Sequence, residues 1–400
     1  MEEENFITKS TISFAQKIKN SLFGIVFGLV LLIVAPILLY WNEGRTVQRI
    51  ETINDAESVV IDMPDINAVQ PSFNGELVFA QGMAKTNDFL KDNVTGVSVN
   101  AIKLMRDTKY YQWVEKKQTE QTKNSDGSTT KTTTYSYEKN WVNTPVDSDK
   151  FNARSEHINN ILINVQDYTW IAKNVAFGAF RLPENIINKI SNKNSLDLNI
   201  LPRIVQSNIL ASGIKLNKNS LNSSQADFIE VSENQIYIGE NSSLPEVGDL
   251  KIAYYYVPNT NISILAQVNG NSFTNYTSKK GKSFLSVASK LTSKDEMFQN
   301  ERNNNMLITW GLRLLGIILM VASFSLILAP ISVLSSVIPF VSFLVNFGVK
   351  SISTVLGLSL SLFIIAIAWI RFRPLIGIAC LAVVALIITI AQKKLKKLEN

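Results

Sequence analysis

The sequence predicts an α+β membrane protein in which four transmembrane helices, one N-terminal and three C-terminal, enclose a large, mainly antiparallel β-rich extramembrane domain. Three observations predict it. Residues 21–41 carry no charge, and the chain after Arg313 is interrupted only by Lys350 and by Arg371 and Arg373 before Lys393. A bilayer core of about 30 Å needs roughly 20 apolar helical residues to cross it. Between these ends lies an ordinarily polar stretch with strand-like alternation and an Asp-Gly turn.

The first span, 21–41, follows a polar segment 1–20 that contains Lys9, Lys17 and Lys19. No small-x-small cleavage site follows it, so it reads as a retained anchor and not a signal peptide. Tyr40 and Trp41 fall where aromatic side chains sit at a membrane interface. Gly24 and Gly28 have the small-xxx-small spacing that lets helices approach closely in lipid.

At the other end, 314–349 is uncharged for 36 residues, too long for one crossing and short for two. Pro330 and Pro339 divide it. The expected spans are 306–329, 351–370 and 375–392, with Arg313 snorkelling to the interface and Arg371 and Arg373 in a tight turn. The serine-bearing piece 331–349 is expected to be interfacial or re-entrant. Lys393, Lys394, Lys396 and Lys397 then form a basic tail. Lysines flanking both ends predict cytoplasmic termini, and an even number of spans puts the domain, 42–305, on the other side.

Within that domain, 97–104 and 109–115 read as strands, and 124–128, carrying Asp126-Gly127, as the turn of a hairpin. Tyr135, Tyr137 and Trp141 share parity, as do Tyr111 and Trp113. A five-residue loop sets Tyr111 opposite Trp141 and gathers these aromatics on one face. A second strand pair is expected from 249–257 and 262–268, and a short helix from Pro183 to Lys189. The Asn- and Ser-rich segment 190–245 carries no clear pattern.

Composition narrows the chemistry. With one Cys and one His in the chain, neither a Cys/His zinc site nor an intrachain disulfide is available. His157 has no nucleophile motif beside it and reads as structural. The net charge of +6 comes in part from the lysines that flank the spans, and no aromatic-basic motif accompanies it, so nucleic acid is not an expected partner. Carboxylate pairs such as Asp147/Asp149 and Asp295/Glu296 read as solvated.

Six strings, in order, resemble the LUMA (transmembrane protein 43) family. They are Asn42-Glu43-Gly44-Arg45; Tyr111-Gln112-Trp113-Val114-Glu115; Tyr135-Ser136-Tyr137 with Trp141; Pro245-Glu246-Val247-Gly248-Asp249-Leu250; Thr309-Trp310-Gly311-Leu312-Arg313; and Arg373-Pro374-Leu375. The resemblance implies four spans, one large lumenal domain, no catalytic centre or cofactor, and a role in organising membrane-protein complexes. In eukaryotic relatives it implies the endoplasmic reticulum and inner nuclear membrane. The Asn/Lys/Ile-heavy composition looks like a bacterial relative, for which an inner membrane and a periplasmic domain are expected.

Residues 42–45 are expected to form the folded junction between anchor and domain, with Glu43 and Arg45 paired locally, in preference to a site for lipid headgroups or a partner. The expected function is a non-enzymatic oligomeric scaffold whose partners are membrane lipids, its own copies and other membrane proteins. A lipid-binding or lipid-metabolism accessory and a channel or transporter component are the alternatives. The last is disfavoured because the spans hold almost no ionisable groups.

Overall fold

The computed structural model describes residues 6–124, 126–214, 228–335, 339–375 and 377. The described helices are α1 (Phe14–Val59), α2 (Glu184–Ile187), α3 (Pro202–Ala211), α4 (Lys294–Ile327), α5 (Ala329–Leu334) and α6 (Pro339–Phe372). The chain forms two compact units. One is built mainly from Ala56–Thr119 and Thr133–Met297, the other from Lys9–Asp55, Glu120–Thr132 and the chain from Phe298 onward.

The first unit is the β-rich domain. Its strands Leu77–Thr86, Thr260–Asn269, Ser272–Thr274, Phe180–Arg181 and Val175–Phe177 pair in a ring that returns to Leu77–Thr86, a small closed barrel. Closure leaves these five strands without a free edge. A second, eight-stranded sheet is ordered Phe6–Ile12, Thr129–Val142, Lys103–Lys123, Leu250–Val257, Gln235–Ile238, Ile229–Val231, with Tyr168–Ile171 and Asn194–Ser195 added at the sides. Along Lys103–Lys123 the even positions Leu104, Arg106, Thr108, Tyr110 and Gln112 are buried, the period-two pattern of a sheet with one face on a core. Val78, Phe177, Ile252, Ile264 and Tyr110 belong to that core. Short helix α2 follows Pro183 as expected.

Two strand expectations change. The strand expected at 97–104 breaks at Ala101-Ile102, and Lys103–Lys123 runs unbroken through 109–115. Strands Leu250–Val257 and Thr260–Asn269 both form but do not pair with each other. The first pairs with Lys103–Lys123 and Gln235–Ile238, the second with Leu77–Thr86. Pro258 offers no N–H to continue a ladder, and both runs are buried, so the chain turns a corner from one sheet to the other.

The hairpin matches expectation. Its strands end at Lys123 and resume at Thr129, Asn124 N–H donates to the Ser128 carbonyl, and Gly127 takes φ +79°. That positive φ is the conformation for which glycine is chosen. The Tyr111 and Trp141 rings lie 5.1 Å apart. The aromatic face is the one turned away from the core, since the odd positions of the first strand oppose Tyr110 and Gln112. His157 covers part of it, stacked 3.8 Å on Tyr137 and edge-on to Trp113 at 4.7 Å. Tyr135 packs separately against Phe6.

One buried polar cluster in this domain had no sequence signal. Asp92 accepts from Arg106 Nη1 at 2.6 Å and from the Tyr254 hydroxyl, and the Tyr254 and Thr95 hydroxyls are 2.7 Å apart. Burial first, and then the adjacent Asp92 carboxylate, push the Tyr254 phenol above its ordinary range.

The second unit is helical. Among the described residues, three helices are long and apolar enough to cross a membrane: α1, α4 and the part of α6 from Phe343 to Phe372. The expected fourth span at 375–392 lies outside the described residues except for Leu375 and Gly377, as do Lys393, Lys394, Lys396 and Lys397. Of residues 331–349, the described ones up to Leu334 belong to α5 and those from Pro339 to α6, which continues without a break past Lys350. Pro339 at the first helical position loses nothing, because that N–H has no intrahelical partner. Hydroxyls inside α6 bond back to carbonyls one turn earlier, as Ser361 does to Gly357 at 2.7 Å, so scattered serines do not end the helix.

Candidate functional site

Helix α1 does not stop at the end of the apolar stretch but runs on to Val59, so Asn42-Glu43-Gly44-Arg45 is helical. Leu39, Asn42, Glu43 and Thr46 are buried on one face of α1, at the three- and four-residue spacing of neighbours on a helix. Asn305, Thr309 and Arg313 are buried on α4 at four-residue intervals. The two stripes meet, and two of the strings that suggested the family resemblance become one site.

Glu43 is 0% exposed and Arg313 9%. Arg313 Nε donates to Glu43 Oε1 at 2.6 Å and Nη2 to Oε2 at 2.8 Å, a bidentate pair. Trp369 of α6 donates its indole N–H to the same Oε2 at 2.9 Å. The Arg313 guanidinium lies 4.8 Å from the Trp310 ring centroid and 5.7 Å from that of Trp369. Both charges are thus compensated where water is scarce, which a buried ion pair requires.

A neutral network adjoins the pair. Asn42 Nδ2 donates to the Thr309 carbonyl, Asn305 Nδ2 to the Thr46 carbonyl, each at 3.1 Å, and the Thr46 and Thr309 hydroxyls are 2.7 Å apart. Arg45 donates to Asn305 Oδ1 and Thr309 Oγ1, both at 3.1 Å, and to Asn42 Oδ1. Further along the same pair of helices, Arg49 and Glu301 form an ion pair at 2.6 Å.

These contacts correct two expectations. Glu43 and Arg45 are not paired with each other; residues two apart on a helix point to different sides. Arg313 does not reach outward from the helices but turns inward to Glu43 and two indole rings.

The other expected residues are placed as follows. Gly24 and Gly28 face α4 of the same chain. A Cβ on Gly28 would come within 3.0 Å of the Ser323 carbonyl, and Ser323 Oγ donates to the Gly28 carbonyl at 2.8 Å. Tyr40 meets Phe372 with ring centroids 5.2 Å apart, Trp41 is exposed, and the Arg371 guanidinium is 5.8 Å from the Phe372 ring. Arg373 donates its backbone N–H to the Trp369 carbonyl. Gly44 makes room for the Phe372 ring, which a Cβ there would approach to 2.8 Å.

The sequence reading missed Trp369, Asn305 and Gly357. Gly357 touches α4 so closely that a Cβ would stand 2.6–2.8 Å from Val321, two of the three contacts being backbone atoms. Gly357→Ala is expected to push α6 off α4 and cost about 1–3 kcal/mol. Gly348→Ala meets nothing within 4 Å and is expected to be neutral. Thermal unfolding of the two detergent-solubilised variants checks the difference, which should appear as a lowered midpoint for Gly357→Ala alone.

Chemically, the arrangement is saturated. The Glu43 carboxylate accepts three strong hydrogen bonds, and among the described residues no His/Cys/Asp/Glu group is placed to hold a metal. It can lock three helices together.

Comparison with known proteins shows the family of the chain. The sequence model of the family described as transmembrane protein 43 matches residues 110–374, which include Arg313 and Trp369. Transmembrane protein 43 of Mus musculus is 30% identical over 96% of this chain and 94% of its own length. The Homo sapiens protein is 29% identical over 98% and 96%, and the Drosophila melanogaster homolog 27% identical over 89% and 90%. No solved structure matches the chain. With its three apolar helices and near full-length similarity to these relatives, the chain is a membrane protein that belongs to the transmembrane protein 43 family.

Proposed function

We propose that the chain is a non-enzymatic scaffold of the membrane that works as a homo-oligomer and gathers lipids and other membrane proteins. The observation that carries this reading is the Glu43–Arg313–Trp369 lock. Its charged groups are turned on one another and hold α1, α4 and α6 together. The Gly24/Gly28 face is spent in the same way on α4, so copies meet through other surfaces. Mass measurement of the intact particle in mild detergent tests the assembly: an oligomer is expected, and a monodisperse monomer would sink the idea.

The proposed topology has both termini in the cytoplasm and a fourth span at 375–392, with the domain in the periplasm if the host is bacterial. Lys17 donates to the Gly127 carbonyl at 2.7 Å, and strand Phe6–Ile12 pairs with the hairpin strand Thr129–Val142. The hairpin tip therefore shares the compartment of residues 6–17. Maleimide labelling of Asp126→Cys and Arg203→Cys in a Cys380→Ser background checks this. Asp126→Cys should label only from the cytoplasmic side and Arg203→Cys only from the other; labelling of both from one side would refute the topology.

A further inference from the structure

We infer that the groove between α1 and α6 is a binding site for an anionic glycerophospholipid. The groove encloses about 480 Å³ and is floored by Pro36, Ile37, Ile364 and Phe372. Arg45 and Gln48 stand at one end of it. The helical rise from Pro36 to Arg45 is about 14 Å, close to one leaflet of a hydrocarbon core about 30 Å thick. Its apolar part begins inside the uncharged stretch 21–41, and its polar end lies just past Tyr40 and Trp41, at headgroup level. Gly44 and Tyr40 hold the Phe372 ring in place, so the wall is built and not incidental.

Charge identifies the occupant. Glu43 is fully engaged by Arg313 and Trp369. Arg45 hydrogen-bonds only to the neutral oxygens of Asn42, Asn305, Thr46 and Thr309, and the Glu43 carboxylate acts on it through space without a direct contact. A cation half-buried beside an apolar groove at this depth is complementary to a phosphate headgroup whose acyl chain lies along Ile37 and Ile364. The inference rests on the lipid-gathering part of the proposed function but not on oligomerisation, since a monomer would carry the same groove.

Full-length protein, delipidated and titrated with phosphatidylglycerol or phosphatidylcholine, is read by native mass spectrometry. Saturable phosphatidylglycerol binding at one site per chain is expected, with phosphatidylcholine weaker. Arg45→Gln should weaken phosphatidylglycerol about fivefold, the effect of one cation near an anionic headgroup. Because Arg45 also belongs to the polar network, Ile37→Trp is the second variant. Ile37 faces outward, 63% exposed, so filling the groove there leaves the helix contacts intact. Ile37→Trp should abolish the saturable site. Equal binding of the two lipids, or wild-type binding by Ile37→Trp, overturns the inference. So does an oxidative crosslink between Ile37→Cys and the native Cys380, which would show that the last apolar stretch fills the groove.

Discussion

Arg313→Ala is expected to be the most damaging single substitution in the helical unit, costing about 3–5 kcal/mol. The guanidinium it removes supplies two of the three hydrogen bonds to a carboxylate with no exposed surface. The remaining donor, Trp369, is neutral and cannot compensate a buried negative charge. Glu43→Gln is expected to cost less, because a buried Arg retains its two indole faces and an amide oxygen as acceptor. The double variant Glu43→Leu/Arg313→Met should recover most of the loss, since an apolar pair of similar volume requires no desolvation. Thermal unfolding of purified protein, read by tryptophan fluorescence, ranks the three. If Arg313→Ala melts within a degree or two of wild type, the pair is not the lock described above.

How much of this was legible beforehand depends on the distance over which each feature is encoded. The Asp126-Gly127 turn and the parity of Tyr111 and Trp141 are local, and the rings do meet. Strand identity at Leu250–Val257 and Thr260–Asn269 was also legible, but pairing was not: a short linker between apolar runs reads as a hairpin whether or not the chain changes sheets. The motifs at 42–45 and 309–313 were visible as strings, yet nothing in either says that Glu43 takes an Arg 270 residues away. A local partner, Arg45, stands ready in the sequence, but Glu43 pairs with Arg313 instead. Helical geometry alone argued against it, because α1 continuing past Trp41 turns positions 43 and 45 apart. Gly357 is the same kind of case, a lone glycine in an apolar helix whose meaning appears only when Val321 is set against it.

Asp92→Ala is expected to have the largest effect in the β-rich domain, again about 3–5 kcal/mol, for a related reason. Asp92 and Arg106 side chains are 1% and 8% exposed, and the pair is closed at 2.6 Å. Removing the carboxylate leaves Arg106 with the Gln166 carbonyl and the Trp170 face but no counter-charge. It also takes an acceptor from the Tyr254 hydroxyl and uncaps the turn whose Val94 N–H donates to Asp92 Oδ1 at 2.8 Å. These losses fall where strand Lys103–Lys123 pairs with both Leu250–Val257 and Tyr168–Ile171, so the three strands are expected to loosen together. Tyr254→Phe removes the hydrogen bond to Asp92 and the one shared with Thr95 but leaves the ion pair, and should cost about 1–3 kcal/mol. The surface pair Lys116–Glu138 is the control: it is closed at the same 2.6 Å, but with side chains 61% and 40% exposed its loss should cost at most about 1 kcal/mol. Hydrogen exchange on the full-length protein reads all three, with faster exchange at residues 103–110 expected for Asp92→Ala, a smaller increase for Tyr254→Phe, and none for Lys116→Ala. Equal protection in Asp92→Ala and Lys116→Ala would mean that burial confers no special weight on the Asp92–Arg106 pair.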